Sequence, residues 1–177
     1  MRTLVLGLGN ILLRDEGVGV RVVEALVERY VLPTEVEVVD GGTAGMDLLN
    51  TLADCDHLLI CDAVRISERP GSVVKLADAQ VPALFQTRCS PHQLGLSDLL
   101  AVLTLTGEAP ATLTLIGIVP ADLGLGLELS PEVAAAVEPA VEHLVAELRG
   151  FGYSLRPKHS RPSESCARTV WGSTSLP

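Results

Sequence analysis

Residues 3–8 form an unbroken apolar run that stops at Gly7-Leu8-Gly9-Asn10 and gives way to a segment with a different period. Val18, Val22, Val23, Leu26, Val27 and Tyr30 fall at helical spacing, with Arg21, Glu24, Glu28 and Arg29 on the opposite side. A continuous apolar strand reads as one covered on both faces of a parallel sheet, and the segment after it reads as an amphipathic helix packed on that sheet. Between the two stand Asp15 and Glu16. A strand that ends in glycines and presents two acids before a helix is a site-bearing strand-loop-helix unit.

The pattern then repeats. Glu35–Asp40 is a second strand, ending in Asp40-Gly41-Gly42-Thr43, with a helix expected over 44–53 and Thr43 as its N-cap. His57–Ala63 is a third buried strand that meets an acid, Asp62, near its C-terminal end. Arg65–Gly71 is a polar turn and Ser72–Ala77 a strand, placed as an antiparallel edge by the shortness of the connection. Pro82 and residues 86–89 are read as loop. Ser90-Pro91-His92-Gln93 has the form of a capping box ahead of a helix over 94–105. Thr112–Val119 is the last strand expected, and Ser130-Pro131-Glu132 opens a terminal helix that Pro139 should bend and Gly150 closes. Alternating strand and helix signals imply a three-layer α/β domain with a mostly parallel sheet. A chain of 177 residues accommodates one such domain, taken as 1–152, and a tail over 153–177 rich in Ser, Pro and Arg that is read as disordered.

Charge and composition narrow the class. Residues 1–149 carry a net charge of −12 and residues 150–177 carry +3, so the body repels a nucleic-acid backbone. The sequence has no apolar stretch of membrane-spanning length and no signal peptide ahead of the first strand, which points to the cytoplasm. Cys55, Cys61, Cys89 and Cys166 form no CxxC pair, and Cys55 and Cys61 are expected to be buried thiols.

Ligands of open parallel sheets bind beyond the carboxyl ends of the strands, where separate turns deliver Glu16, Asp40 and Asp62 and a fourth loop brings His92. Carboxylates and an imidazole suit a divalent ion such as nickel or zinc. Each residue also has a structural reading. Asp15 and Glu16 precede a helix, where acids act as caps, and of the two Asp15 is the better cap. Asp40 before two glycines makes an Asx turn, and His92 fits a helix start. Gly7-Leu8-Gly9 is similar to a dinucleotide fingerprint, but position 12 is Leu and two acids stand where a pyrophosphate would lie.

Four segments together resemble the maturation endopeptidases of nickel-iron hydrogenases. They are Gly7-Leu8-Gly9-Asn10-Ile11-Leu12-Leu13 with Asp15-Glu16, Asp40-Gly41-Gly42-Thr43-Ala44-Gly45-Met46, Asp62-Ala63, and Ser90-Pro91-His92-Gln93-Leu94-Gly95-Leu96. The resemblance runs from Met1 to about Gly152 and is strongest to the branch serving membrane-associated uptake hydrogenases. It implies a twisted five-stranded sheet and a peptidase, filed as aspartic-type, that removes a C-terminal extension from the hydrogenase large-subunit precursor after nickel insertion. It also implies metal-binding positions at Glu16, Asp62 and His92, with nickel presented by the precursor. Asp40, at a strand end beside a flexible Gly-Gly turn where substrate backbone can approach, is the candidate base, and an acidic body that engages a large precursor is compatible with a monomer. Two alternatives remain at this stage: a non-enzymatic chaperone of a partner's nickel site, and a metal-independent hydrolase or nucleotide-binding protein of similar architecture.

Overall fold

The computed structural model describes residues 1–87 and 91–158, excluding the side chains of residues 85–87 and 91–95. Along the chain come β1 (Thr3–Leu8), α1 (Val18–Arg29), β2 (Tyr30–Val31), β3 (Val36–Gly42), α2 (Leu49–Leu52), β4 (His57–Ala63) and β5 (Val73–Ala77). They are followed by α3 (Gln80–Thr87), α4 (Pro91–Thr106), β6 (Thr112–Ile118), α5 (Pro131–Gly150) and β7 (Arg156–Pro157). Five strands make one sheet in the order β3-β1-β4-β6-β5. β3, β1, β4 and β6 are parallel, and β5 runs antiparallel to β6 at the edge.

The pleat divides the core in two. Leu4, Leu6, Leu8, Leu58 and Ile60 point to the face covered by α2, α3 and α4, packing with Leu48, Val81, Leu99 and Leu103. Val5, Leu59 and Cys61 point the other way, against Val22 and Leu26 of α1 and Val141, Leu144 and Leu148 of α5. Strands buried on both faces have no polar face to show, so they read as continuous apolar runs.

Three local expectations change. The helix expected over 44–53 is a 3-10 turn, Gly45–Leu48, leading into the single turn of α2, and Thr43 does not cap it. Gly45 at φ +53° interrupts a continuous helix, and Leu48 and Leu52 suffice to anchor the short one. The expected loop around Pro82 is helical through Thr87, because Pro82 falls in the first turn, where its missing N–H goes unused. The capping box at Ser90 lies outside the described residues. The packed chain also continues past residue 152: Leu155 is buried, the Tyr153 hydroxyl lies 3.0 Å from Thr3 Oγ1, and β7 pairs antiparallel with β2. Residues 159–177, with Trp171, lie outside the described residues. Among the described residues no helix is long and apolar enough to cross a membrane.

The helix-sheet seam yields a stability test. A Cβ built on Gly19 lies 2.1 Å from the Cys61 carbonyl oxygen and 2.4 Å from that of Leu8, whereas one on Gly150 meets nothing within 4 Å. Gly19→Ala is expected to lower unfolding free energy by about 3 kcal/mol or more. Gly150→Ala should be neutral or stabilise by up to about 1 kcal/mol. Urea titration of both variants checks the pair.

Candidate active site

The connections leaving β1 and β4 diverge. After β1 the chain crosses through α1 on one face to β3, and after β4 it turns through residues 64–72 to β5 at the opposite edge, from which α3 and α4 cover the other face on the way to β6. Adjacent strands whose connections part in this way leave a crevice at their carboxyl ends, the usual ligand position in an open α/β sheet. Here the crevice lies between the loop after Leu8 and the end of β4.

Close backbone contact fixes that loop. Gly9 sits at φ +121°, and a Cβ there would lie 1.7 Å from the carbonyl oxygen of Glu16. With Gly19 against the Cys61 carbonyl, the 3-10 turn Arg14–Gly17 and the start of α1 are pressed onto the ends of β1 and β4. The glycines of the first turn therefore accommodate this chain's own backbone. The space a pyrophosphate would need beside Gly9 is filled, which removes the basis for a nucleotide site.

The four expected site residues occupy distinct positions. Glu16 is half-buried in the 3-10 turn. Asp62 is 0% exposed at the penultimate position of β4, on the same side of the strand as Leu58 and Ile60, and one of its oxygens accepts the Ala63 N–H at 2.8 Å. Glu16 and Asp62 each make a further contact. Asp40 is exposed near the end of β3, opposite Gly7, which is itself opposite Cys61. Its Oδ1 accepts the Gly42 N–H at 2.9 Å, so the Asx turn does form.

His92 lies in the first turn of α4, and its side chain is outside the described residues. The sixteen residues of α4 rise about 24 Å, matching the seven-residue β6 that follows, at about 23 Å. Since β6 runs parallel to β4, the N-terminal turn of α4 belongs at the carboxyl edge of the sheet. Backbone topology thus brings the Glu16 turn, the end of β4 and the start of α4 to one rim, with Asp40 two strands away from Asp62. Among the described residues no three His, Cys, Asp or Glu side chains form a metal-sized cluster.

Asp15 is not the cap of α1. It is 0% exposed and accepts the N–H groups of Ala121 at 2.9 Å, Asp122 at 2.8 Å and Ser130 at 2.7 Å, together with the Ser130 hydroxyl at 2.8 Å. Burial alone would raise its pKa, but the hydrogen bonds from Ser130, Asp122 and Ala121 outweigh it and hold the carboxyl below the usual aspartate range. The Ser130 side chain is consumed by Asp15 and does not cap α5. Asp15 thereby ties loop 120–130 to the Glu16 turn. Arg14 N–H donating to Gly126 at 2.9 Å and Gly126 N–H donating to Leu12 at 2.9 Å complete the joint. Sequence reasoning missed this role. Its one signal was the second acid beside Glu16, more than a hundred residues from its partners.

Cys61 is fully buried and Cys55 nearly so, and burial pushes both thiols up in pKa. Neither offers a thiolate nucleophile.

A family model described as hydrogenase maturation protease, HycI, matches residues 20–147. The chain is 52% identical over 162 residues to the hydrogenase 2 maturation protease of Escherichia coli (strain K12), covering 90% of this chain and 98% of that protein. It is 42% identical over 156 residues to the hydrogenase expression/formation protein HupD of Rhodobacter capsulatus, covering 87% of this chain and 74% of that one. The solved structure of the hydrogenase maturating endopeptidase HybD from Escherichia coli matches with a TM-score of 0.87 at 53% identity, over 89% of this chain and 98% of that chain.

The buried carboxylate sets a pH dependence. A group whose pKa is depressed by folding contributes stability above its ordinary value and loses it as pH falls through the folded value. Asp15→Asn is expected to cost about 3 kcal/mol at pH 7. The gap to wild type should narrow as pH drops below about 4. Denaturant melts of both proteins across that range measure it.

Proposed function

This chain belongs to the hydrogenase maturation protease family, and we propose that it removes the C-terminal extension of a nickel-iron hydrogenase large-subunit precursor by reading the nickel held in that precursor. The observation that carries this reading is the rim itself. The switch point between β1 and β4 sets the Glu16 turn against the end of β4, where Asp62 is buried, and α4 begins at the same edge with His92 in its first turn.

The donor chemistry fits. Two carboxylates and one imidazole match a divalent ion of intermediate softness, and the two cysteines among the described residues, Cys55 and Cys61, are buried in the core. Glu16, Asp62 and His92 would complete the coordination of nickel already bound by the precursor. That fixes the scissile peptide in one register and makes the metal a checkpoint for maturation. Seating the peptide in this way supplies much of the rate enhancement of an endopeptidase.

Asp40 is the candidate base. It is exposed beside the flexible Gly41-Gly42 turn, where a substrate backbone can approach closely, and its Oδ1 is held by the Gly42 N–H. Asp15 is not free to pair with a second carboxylate in the manner of an aspartic protease, because its two oxygens are filled by four donors. The enzyme works in the cytoplasm as a monomer in this account.

With purified nickel-loaded precursor, Glu16→Gln, Asp62→Asn and His92→Ala are each expected to lower the processing rate by about 100-fold or more. Wild-type rates in all three would refute the assignment. For Asp40→Asn, turnover should fall by about 100-fold with precursor affinity unchanged. Weakened binding with intact turnover of bound precursor removes Asp40 as the base.

A further inference from the structure

β3 is an edge strand of the five-stranded sheet, with no further strand paired to it among the described residues. Thr3 lies opposite Val36, Val5 opposite Val38 and Gly7 opposite Asp40, with Thr3 N–H donating to Glu35 at 3.0 Å and Gly9 N–H donating to Gly42 at 2.9 Å. In a parallel ladder with this register the backbone groups of Glu35, Glu37 and Val39 face β1, and those of Val36, Val38 and Asp40 face outward. The Val36 N–H is taken by Pro33 at 3.1 Å. The N–H and C=O groups of Val38 and Asp40 pair with nothing among the described residues and lie side by side along the edge.

Beside this edge runs a groove of about 400 Å³ between α1 and β3. Its floor is Val23, Val27 and Val38, and its acids are Glu24, Glu28 and Asp40. Lys158 sits at one side, with its ammonium group donating to the Val27 carbonyl at 2.6 Å. The groove therefore combines an apolar floor, a net negative rim and an unsatisfied strand edge. An extended peptide supplies what these three features lack: backbone donors and acceptors in strand spacing, an apolar side chain on alternate residues, and a basic side chain beside it.

The position ties the groove to the rim. Asp40 is separated from Cys61 by β1 alone, and Cys61 precedes Asp62. A strand added outside β3 stands three strand spacings from β4, about 14 Å, which an extended chain crosses in about four residues.

We propose that β3 captures the precursor as an added β-strand, seating an extended apolar-and-basic stretch of its polypeptide in the α1–β3 groove about four residues along the chain from the nickel site. This rests on the reading of the protein as a precursor endopeptidase and assigns the substrate-binding surface of that reaction. Main-chain pairing gives affinity with little demand on sequence, and Glu28 and Asp40, with Glu24 already ion-paired to Arg21, favour Lys or Arg next to the seated residue.

Val38→Pro tests it. The Val38 N–H points away from β1, and edge strands tolerate proline at such positions, so the β1–β3 ladder survives while the outward donor is lost. Val27→Lys, at a helix surface position that is 42% exposed, blocks the groove without touching the strand. For the full-length chain, Kd for nickel-loaded precursor, KM, kcat and the sedimentation coefficient are measured side by side. Each variant is expected to raise Kd and KM by about tenfold, the loss of one or two net hydrogen bonds, with kcat within about twofold.

Wild-type Kd and KM in both variants overturn the proposal. If circular dichroism shows that Val38→Pro does not fold, unchanged values in Val27→Lys overturn it alone. A wild-type dimer that Val38→Pro dissociates would make the edge a self-interface and also overturn it. The affinity arm separates the two readings: a wild-type protein that binds precursor but never cleaves it refutes the endopeptidase reading, while the ratio of affinities still decides the strand edge.

Discussion

The seam between α1 and the ends of β1 and β4 governs the rest of the structure. There is no space in it for one methyl group: the Cβ positions of Gly9 and Gly19 fall 1.7 Å and 2.1 Å from backbone carbonyl oxygens of Glu16 and Cys61. A side chain at either place would lift the helix off the sheet and carry the Glu16 turn away from Asp62. The glycines after β1, which in another context cradle a phosphate, here let two pieces of the same chain touch. The crevice that the divergent connections open then lies between the Glu16 turn and the end of β4, where Asp62 is buried.

Two neighbouring acids meet opposite fates at this seam. Glu16 stays half-buried on the rim, while Asp15 is drawn inward and saturated by four donors from loop 120–130 and the start of α5. A buried carboxylate is tolerable only because these donors replace its water, and they exist only because α5 begins where it does. One residue thus couples the position of the rim to the packing of a helix at the far end of the chain. Loop 120–130 gains its order from that carboxylate and from the backbone pairing around Gly126.

The core strands were legible because burial on both faces leaves a signature that depends only on local composition. Residues 3–8 and 57–63 carry it in full, and β5 was placed correctly at the antiparallel edge because its connection is too short for a crossover. Features that depend on distant partners were not legible. Asp15 reads as a helix cap and Ser130 as part of a helix start, and nothing local tells that they bond one another across 115 positions. β2 and β7 are two residues each, too short for any period to show. The region around Pro82 was read as loop because proline breaks helix interiors, while the same residue is neutral in a first turn. At the rim, Glu16, Asp62 and Asp40 were each legible as acids at or just after a strand end, and the parallel sheet puts those strand ends on one edge, whereas the His92 side chain lies outside the described residues.

The central claim is that this edge reads nickel in the precursor before the peptide is cut. Incubating the protein with equal amounts of nickel-loaded and nickel-free large-subunit precursor, followed by intact-mass measurement, tests it directly. The account predicts that the loaded precursor loses its C-terminal extension while the nickel-free one keeps its full mass. Equal shortening of both would contradict it.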